Sequence, residues 1–266
     1  MSFLNLKDKT FLIAGVANKK SVATFCAQTL IAEGARCLFT VQKEEQISSI
    51  EKLFPGSKAI VVDVSSKDSL QKLSHYVSSV SIRLDGFLHS LAFANFENPA
   101  PFHGTKREDF LEAAQISSFS LVEMTNALKD SLSEDASIVT ISISNTRATS
   151  YGYLGPVKAM LDATVPYLAK SLSEFGRIRV NAVGAGPLKT SASAGIPNYI
   201  DNYLFAEALT LRKKALETQE VANAVAFLLS ERSSGINATT MLVDAGMSCN
   251  YFDEKVVAGF TKSEKN

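Results

Sequence analysis

Seven apolar runs punctuate the chain, and most are continuous rather than alternating, the pattern of strands covered on both faces. They predict strands over 10–15 (TFLIAG), 36–40 (RCLFT), 58–64 (KAIVVDV), 86–94 (GFLHSLAFA) and 137–142 (SIVTIS). Two more follow over 178–190 (IRVNAVGAGPLKT, breaking at Gly184 and Gly186-Pro187) and 239–246 (TTMLVDAG). Helical periodicity is predicted between them over 22–33, 107–131 and 219–229, with a further helix starting near Tyr153. Strands alternating with helices give an α/β fold, a doubly wound seven-stranded parallel sheet of the Rossmann type with helices on both faces. Such sheets bind ligands outside the carboxyl ends of their strands. No linker, repeat or low-complexity tract breaks the pattern, so 1–266 is expected to be one domain, with the last dozen residues a frayed or partner-bound tail.

Composition narrows the function. A 266-residue chain with 46% hydrophobic residues builds a substantial core, and 27 basic against 27 acidic residues leave no field to attract nucleic acid or an anionic membrane. A small-molecule substrate is expected. Cys26, Cys37 and Cys249 lie without ligand spacing, which points to free thiols in a reducing compartment rather than a metal site or disulfides. No apolar run approaches the roughly 18 residues of a membrane span, and the N-terminus lacks an export pattern, so the expected location is the cytoplasm.

The first strand, turn and helix have the form of a nucleotide-binding βαβ opening, in which unpaired N–H groups at a helix start face a pyrophosphate. Gly15 lets the chain turn close to the phosphates, and Ser21 stands where an N-cap hydroxyl belongs. The three-glycine fingerprint of dinucleotide sites is absent, so a plain strand-to-helix turn remains an alternative. Gln42, after the second strand, suits the adenosine ribose hydroxyls, whereas Lys43 suits a 2′-phosphate; NADH is favoured and NADPH is the alternative. Asp63, ending the third run, is placed to bond the adenine amino group. His89, among apolar residues in mid-strand, reads as a satisfied core histidine rather than a base. In SYGYLGPVKAM, six residues separate Tyr151 from Lys158, so on one helix they would share a face roughly 10 Å apart. A cation beside a phenol favours the phenolate, and the pair is expected to work as a tuned general acid.

Over nearly its whole length the chain resembles the enoyl-[acyl-carrier-protein] reductases of bacterial fatty-acid synthesis, a divergent branch of the short-chain dehydrogenase/reductases. The motifs that carry the likeness are GVANKKSVA at Gly15, TVQ at Thr40, DV at Asp63, HSLAFA at His89, the Tyr151-x6-Lys158 pair and VNAVGAGPLKT at Val180. The commoner spacing in the superfamily is Tyr-x3-Lys, and here the residue four before Lys158 is Leu154; the longer spacing marks the branch. The resemblance implies NADH-dependent reduction of trans-2-enoyl thioesters, carried on acyl carrier protein or coenzyme A, by a homotetramer. It implies catalytic roles for Tyr151, at the enolate oxygen, and Lys158, at the nicotinamide ribose. It further implies cofactor contacts from Ser21, Val22, Gln42, Asp63, Val64 and Leu91, with Leu188, Lys189, Thr190, Ser191 and Ala192 passing over the pyrophosphate and nicotinamide. Ala94 would face substrate, and 190–209 would form a mobile lid.

Three departures qualify the likeness. Most of the family carries a second tyrosine directly after the fifth strand, where this chain has Ile143. Pro156 requires the helix to begin near Tyr153, which would leave Tyr151 outside it. The lid segment PNYID carries no positive charge for an acidic carrier, so electrostatic docking would fall to Lys189, Arg212, Lys213 and Lys214. A reductase of another carbonyl or enone, and a non-catalytic NAD(P)H-binding protein, are the competing readings.

Overall fold

The computed structural model describes residues 2–95, 97, 100–190 and 199–263. Its strands are β1 (Thr10–Ala14), β2 (Arg36–Val41), β3 (Lys58–Val61), β4 (Leu84–His89), β5 (Leu132–Ile143), β6 (Arg179–Ala185) and β7 (Thr240–Val243). They form one seven-stranded sheet of order β3-β2-β1-β4-β5-β6-β7, parallel at every pairing. The α-helices among the described residues are α1 (Val22–Ala32), α2 (Ile47–Leu53), α3 (Lys67–Ser79), α4 (Arg107–Ala114), α5 (Ser120–Leu128), α6 (Leu154–Leu172), α7 (Tyr199–Leu209), α8 (Thr218–Leu229) and α9 (Glu254–Ser263).

Side chains two apart along a strand share a face, and the two cores follow that alternation. Phe11, Ile13, Phe39 and Val183 pack with α1 and α8 on one face. Leu12, Phe87, Ile138 and Val180 pack with α3, α5 and α6 on the other. β6 is buried along its whole length, including Arg179, whose guanidinium donates to the Leu228 and Ser230 carbonyls at 3.0 and 2.9 Å. Those carbonyls end α8, where a helix lacks internal donors and favours a cation.

Several predicted boundaries shift. β3 stops at Val61 and lies at the sheet edge with Lys58 exposed, so the run through Val64 is not a strand covered on both faces. β4 starts at Leu84 and ends at His89, leaving 90–94 to line the site. The 107–131 stretch is helical but passes through a π segment, Gln115–Phe119, between α4 and α5. The expected tail is largely helix: the Asp253 carboxylate accepts from the N–H groups of Lys255 and Val256 at 3.1 and 3.2 Å and so starts α9.

Candidate active site

Strand order reverses between β1 and β4, and a cavity of about 660 Å³ runs there along the carboxyl ends of the strands. Gly15 sits in this seam with φ +106°, and a Cβ there would overlap the Ser90 carbonyl oxygen, so both conformation and space demand glycine. Next to it, Ser21 and Val22 bring the start of α1 to the cavity, with no acidic residue in the helix's first turn. Ser21 stands at the N-cap but makes no capping bond. Its hydroxyl meets the Asn18 carbonyl at 2.9 Å and Thr24 Oγ1 at 2.8 Å, so the expected cap is corrected to a loop tie that leaves helix N–H groups open.

Gln42 and Gln46 line one end of the cavity with Asp63 and Val64, whereas Lys43 does not line it. Asp63 is held rigidly: its carboxylate accepts from the Ser65 N–H and hydroxyl at 2.9 and 2.6 Å, and its own N–H donates to Ser69 Oγ.

Leu91, Ala94, Ile143, Tyr151 and Lys158 line the other end. Tyr151 lies in the 3-10 turn Thr149–Tyr151, followed by Gly152 at φ +55°, and α6 begins only at Leu154. Pro156 therefore occupies the first helical turn, where its missing N–H costs nothing. The same start removes Tyr151 from the helix, so the expected sharing of one helix face is corrected: turn and helix bring phenol and ammonium separately to one cavity.

Lys158 is 6% exposed, and its ammonium donates to the Ile141 carbonyl at 2.9 Å and the Leu91 carbonyl at 3.4 Å. Burial lowers it to about 8, opposed by the charge of Asp162 one turn along α6. Tyr151 is instead pushed up to about 12, mainly by burial and also by neighbouring Tyr199. The cation does not draw this phenol toward phenolate as expected; desolvation dominates, and Tyr151 is held protonated as a hydrogen-bond donor. His89 is the satisfied core residue expected from the sequence. Its ring nitrogens meet Thr140 Oγ1 and Ser120 Oγ, both at 2.8 Å, and burial, reinforced by Lys158, lowers it to about 3.

Three side-chain hydroxyls grip the rim in one manner, each accepting an N–H and donating to the C=O of a single residue. Ser117, in the π segment, holds Phe93 at 2.8 and 3.1 Å. Tyr153 holds Asn95 at 2.7 and 3.0 Å, and Tyr199 holds Leu188 at 2.8 Å for both bonds. Thr190 also lines the cavity, but Lys189 turns away, its ammonium 4.4 Å from the centre of the Tyr203 ring. Ser191 and Ala192 lie outside the described residues, as does the first part of the expected lid; the rest of it is α7. Beyond α7 the expected docking cations are already paired. Arg212 bonds Glu220 at 2.5 and 2.6 Å, Lys214 bonds Glu217 at 2.6 Å, and Lys213 bonds Asp253.

Tyr199, Phe93, Ile116 and Gln46 were not anticipated as lining residues. Tyr199 and Gln46 carried no motif, and the apolar residues of YIDNYLFAEAL occupy several sides of the helix, giving no face to read.

A family model described as "Enoyl-(Acyl carrier protein) reductase" matches residues 15–248. The chain is 35% identical over 251 residues to the NADPH enoyl-[acyl-carrier-protein] reductase of Staphylococcus aureus, covering 91% of this chain and 98% of that one. It is 33% identical over 256 residues to the NADH enzyme of Escherichia coli, with 94% and 97% covered. Among solved structures, the Bacillus cereus enoyl-acyl carrier protein reductase with NADP+ and indole naphthyridinone superposes with a TM-score of 0.86 at 30% identity, covering 91% and 96%. The Aquifex aeolicus NADH reductase gives 0.87 at 29% identity, covering 91% and 97%. With the Tyr151–Lys158 site at the switch point and these likenesses spanning nearly its whole length, the chain belongs to the enoyl-(acyl carrier protein) reductase family.

Proposed function

We propose that this protein reduces trans-2-enoyl thioesters, delivered on an acyl carrier protein, to acyl thioesters with NADH as the hydride source. The observation that carries this reading is the pairing of a protonated phenol, Tyr151, and a buried ammonium, Lys158, on one cavity whose far end offers Gln42 and Asp63. The residues fit a dinucleotide. The start of α1 offers N–H groups without competing acids, Gln42 and Gln46 are uncharged partners for ribose hydroxyls, and the cavity lies within the size range of ligand sites. Ser21, Val22, Asp63, Val64, Leu91, Leu188 and Thr190 complete its lining on the side assigned to the cofactor.

When bound, the nicotinamide would supply the hydride for C3 of the enoyl group, and a proton taken up at C2 from solvent would complete the reduction. Tyr151 then donates a hydrogen bond to the thioester oxygen as that oxygen gains enolate charge, a bond stronger in the transition state than in the ground state. Lys158 brings a compact positive charge and free donor capacity toward the ribose hydroxyls. Ala94 and Ile143, with Phe93 and Ile116, give the acyl chain an apolar wall; with isoleucine at position 143, Tyr151 acts without a second phenol at that place. The chain works as one domain in the cytoplasm, and exposed Leu111, Phe119 and Tyr167 support assembly into a homotetramer. Among the described residues no helix is long and apolar enough to cross a membrane.

The test is NADH oxidation with crotonyl and dodecenoyl thioesters. Turnover of either supports the assignment. Oxidation only with ketones or other enones would make the protein a different reductase, and binding without turnover would make it a nucleotide-binding protein.

A further inference from the structure

Of the three hydroxyl grips at the rim, the one between Tyr199 and Leu188 is the one in which both residues line the cavity. Leu188 is 6% and Tyr199 9% exposed, so these bonds form in a poorly solvated place where an unmet N–H or C=O is costly. Two bonds of 2.8 Å to one oxygen mean that the Leu188 N–H and C=O converge on a single point in the cavity. Whatever else fills that point must both accept and donate. A primary carboxamide does so through its oxygen and its NH₂ group, whereas a phosphate only accepts. The point also belongs to the reactive end, since Tyr199 lies close enough to Tyr151 to raise its pKa, while Gln42 and Asp63 line the other end.

We propose that Tyr199 is a positioning residue that occupies, on Leu188, the place taken by the carboxamide of the bound dinucleotide, so that binding exchanges one hydroxyl for one carboxamide. This inference rests on the function proposed above. Before binding, the hydroxyl keeps the Leu188 peptide aimed into the cavity. On binding, the hydroxyl must leave that place.

The experiment is calorimetric titration of wild-type protein and Tyr199→Phe with NADH, with ADP-ribose, and with the reduced 3-acetylpyridine analogue, whose ketone accepts but cannot donate. Removing the competing hydroxyl should tighten NADH binding about threefold to tenfold, the scale of one or two modest hydrogen bonds, and leave ADP-ribose unchanged. The gain for the acetylpyridine analogue should be smaller than for NADH. Tyr203→Phe, which keeps the ring beneath Lys189, should change none of the three affinities. NADH binding that is unchanged or weaker in Tyr199→Phe overturns the exchange, as does an equal gain for ADP-ribose or the same gain in Tyr203→Phe. A wild-type protein that binds neither NADH nor ADP-ribose instead overturns the proposed function, and the exchange with it.

Discussion

The floor of the cavity and the side where the lid is expected are held on different terms. The floor is made of strand ends, where Gly15 admits no side chain, His89 has both nitrogens engaged and the Lys158 ammonium is held between two carbonyls. On the lid side the described ties are made by side chains: the Tyr199 hydroxyl on Leu188, the Lys189 ammonium over the Tyr203 ring, and the Lys213 ammonium on the Ala208 carbonyl at 2.8 Å and on the Asp253 carboxylate. Groups that must hold charge during chemistry need the first kind of support, because a preorganised dipole does not have to rearrange as charge develops. Groups that admit substrate need the second, since local opening is easiest where few contacts are lost. The contrast assigns chemistry to the floor side and selection to the lid side, and it breaks if replacing Tyr151 alters only binding.

The largest expected effect is therefore on the floor. Tyr151→Phe removes the donor and little else, so kcat should fall about 10²-fold or more with NADH affinity nearly intact. Rapid-mixing turnover alongside calorimetry measures both, and full turnover in the variant would withdraw Tyr151 from its role.

Lys158 follows. Replacing it with Met leaves the Leu91 and Ile141 carbonyls without their donor and takes away the charge, and NADH affinity itself should drop by roughly tenfold or more. In the wild type, affinity should decline as pH rises through about 8, where the ammonium discharges. Unfolding does not explain such a decline. The lysine titrates at about 8 in the folded protein and 10.5 as its ordinary value, so between them the unfolded chain binds more protons and this group's contribution to stability rises with pH. Affinity that stays flat from pH 7 to 9.5 would remove Lys158 from the cofactor site.

Legibility in the sequence divides along the same line. Most floor residues sit at strand ends, and a continuous apolar run announces both the strand and the place where it stops, so Gly15, Asp63, Leu91 and Ile143 were readable as lining candidates by position, whereas Lys158, on α6, was readable only through its spacing from Tyr151. What sequence could not give was environment. The phenol of Tyr151 is governed by burial rather than by the nearby cation, and the start of α6 was visible only through Pro156. On the lid side, Tyr199 matters through bonds to a backbone eleven residues earlier, and the salt bridges of Arg212 and Lys213 reach residues with no fixed spacing. Such pairings arise from tertiary packing, which local pattern does not encode.

A smaller effect tests the adenosine end. Gln42 and Gln46 face the cavity while Lys43 stays off it, so among the described residues no cation lines that end for a 2′-phosphate, and NADH should bind about tenfold more tightly than NADPH. Gln42→Arg should narrow or invert that ratio. Tighter NADPH binding by the wild type would place Lys43 in the site.

The smallest effect concerns the carrier, and here the pairing of charges changes what is expected. Attraction between an acidic carrier and free cations raises the association rate and falls steeply with salt. Arg212, Lys213 and Lys214 are each matched by a carboxylate of the chain, so these three add little net charge beside the expected lid, and Lys189 lies over the Tyr203 ring. For a carrier-bound enoyl substrate, kcat/KM should therefore fall no more than about threefold between low and high salt. Replacing all three cations by alanine is a poor test, because Arg212 also donates to the Lys214 and Ala215 carbonyls and Lys213 to Ala208. Glu220→Gln is better: it keeps the side chain's size and unmasks Arg212, whose partner it is. In that variant the low-salt rate on the carrier substrate should rise and the salt slope should steepen, while a neutral N-acetylcysteamine thioester is reduced as before. A steep slope already present in the wild type would mean that docking uses other cations than these three.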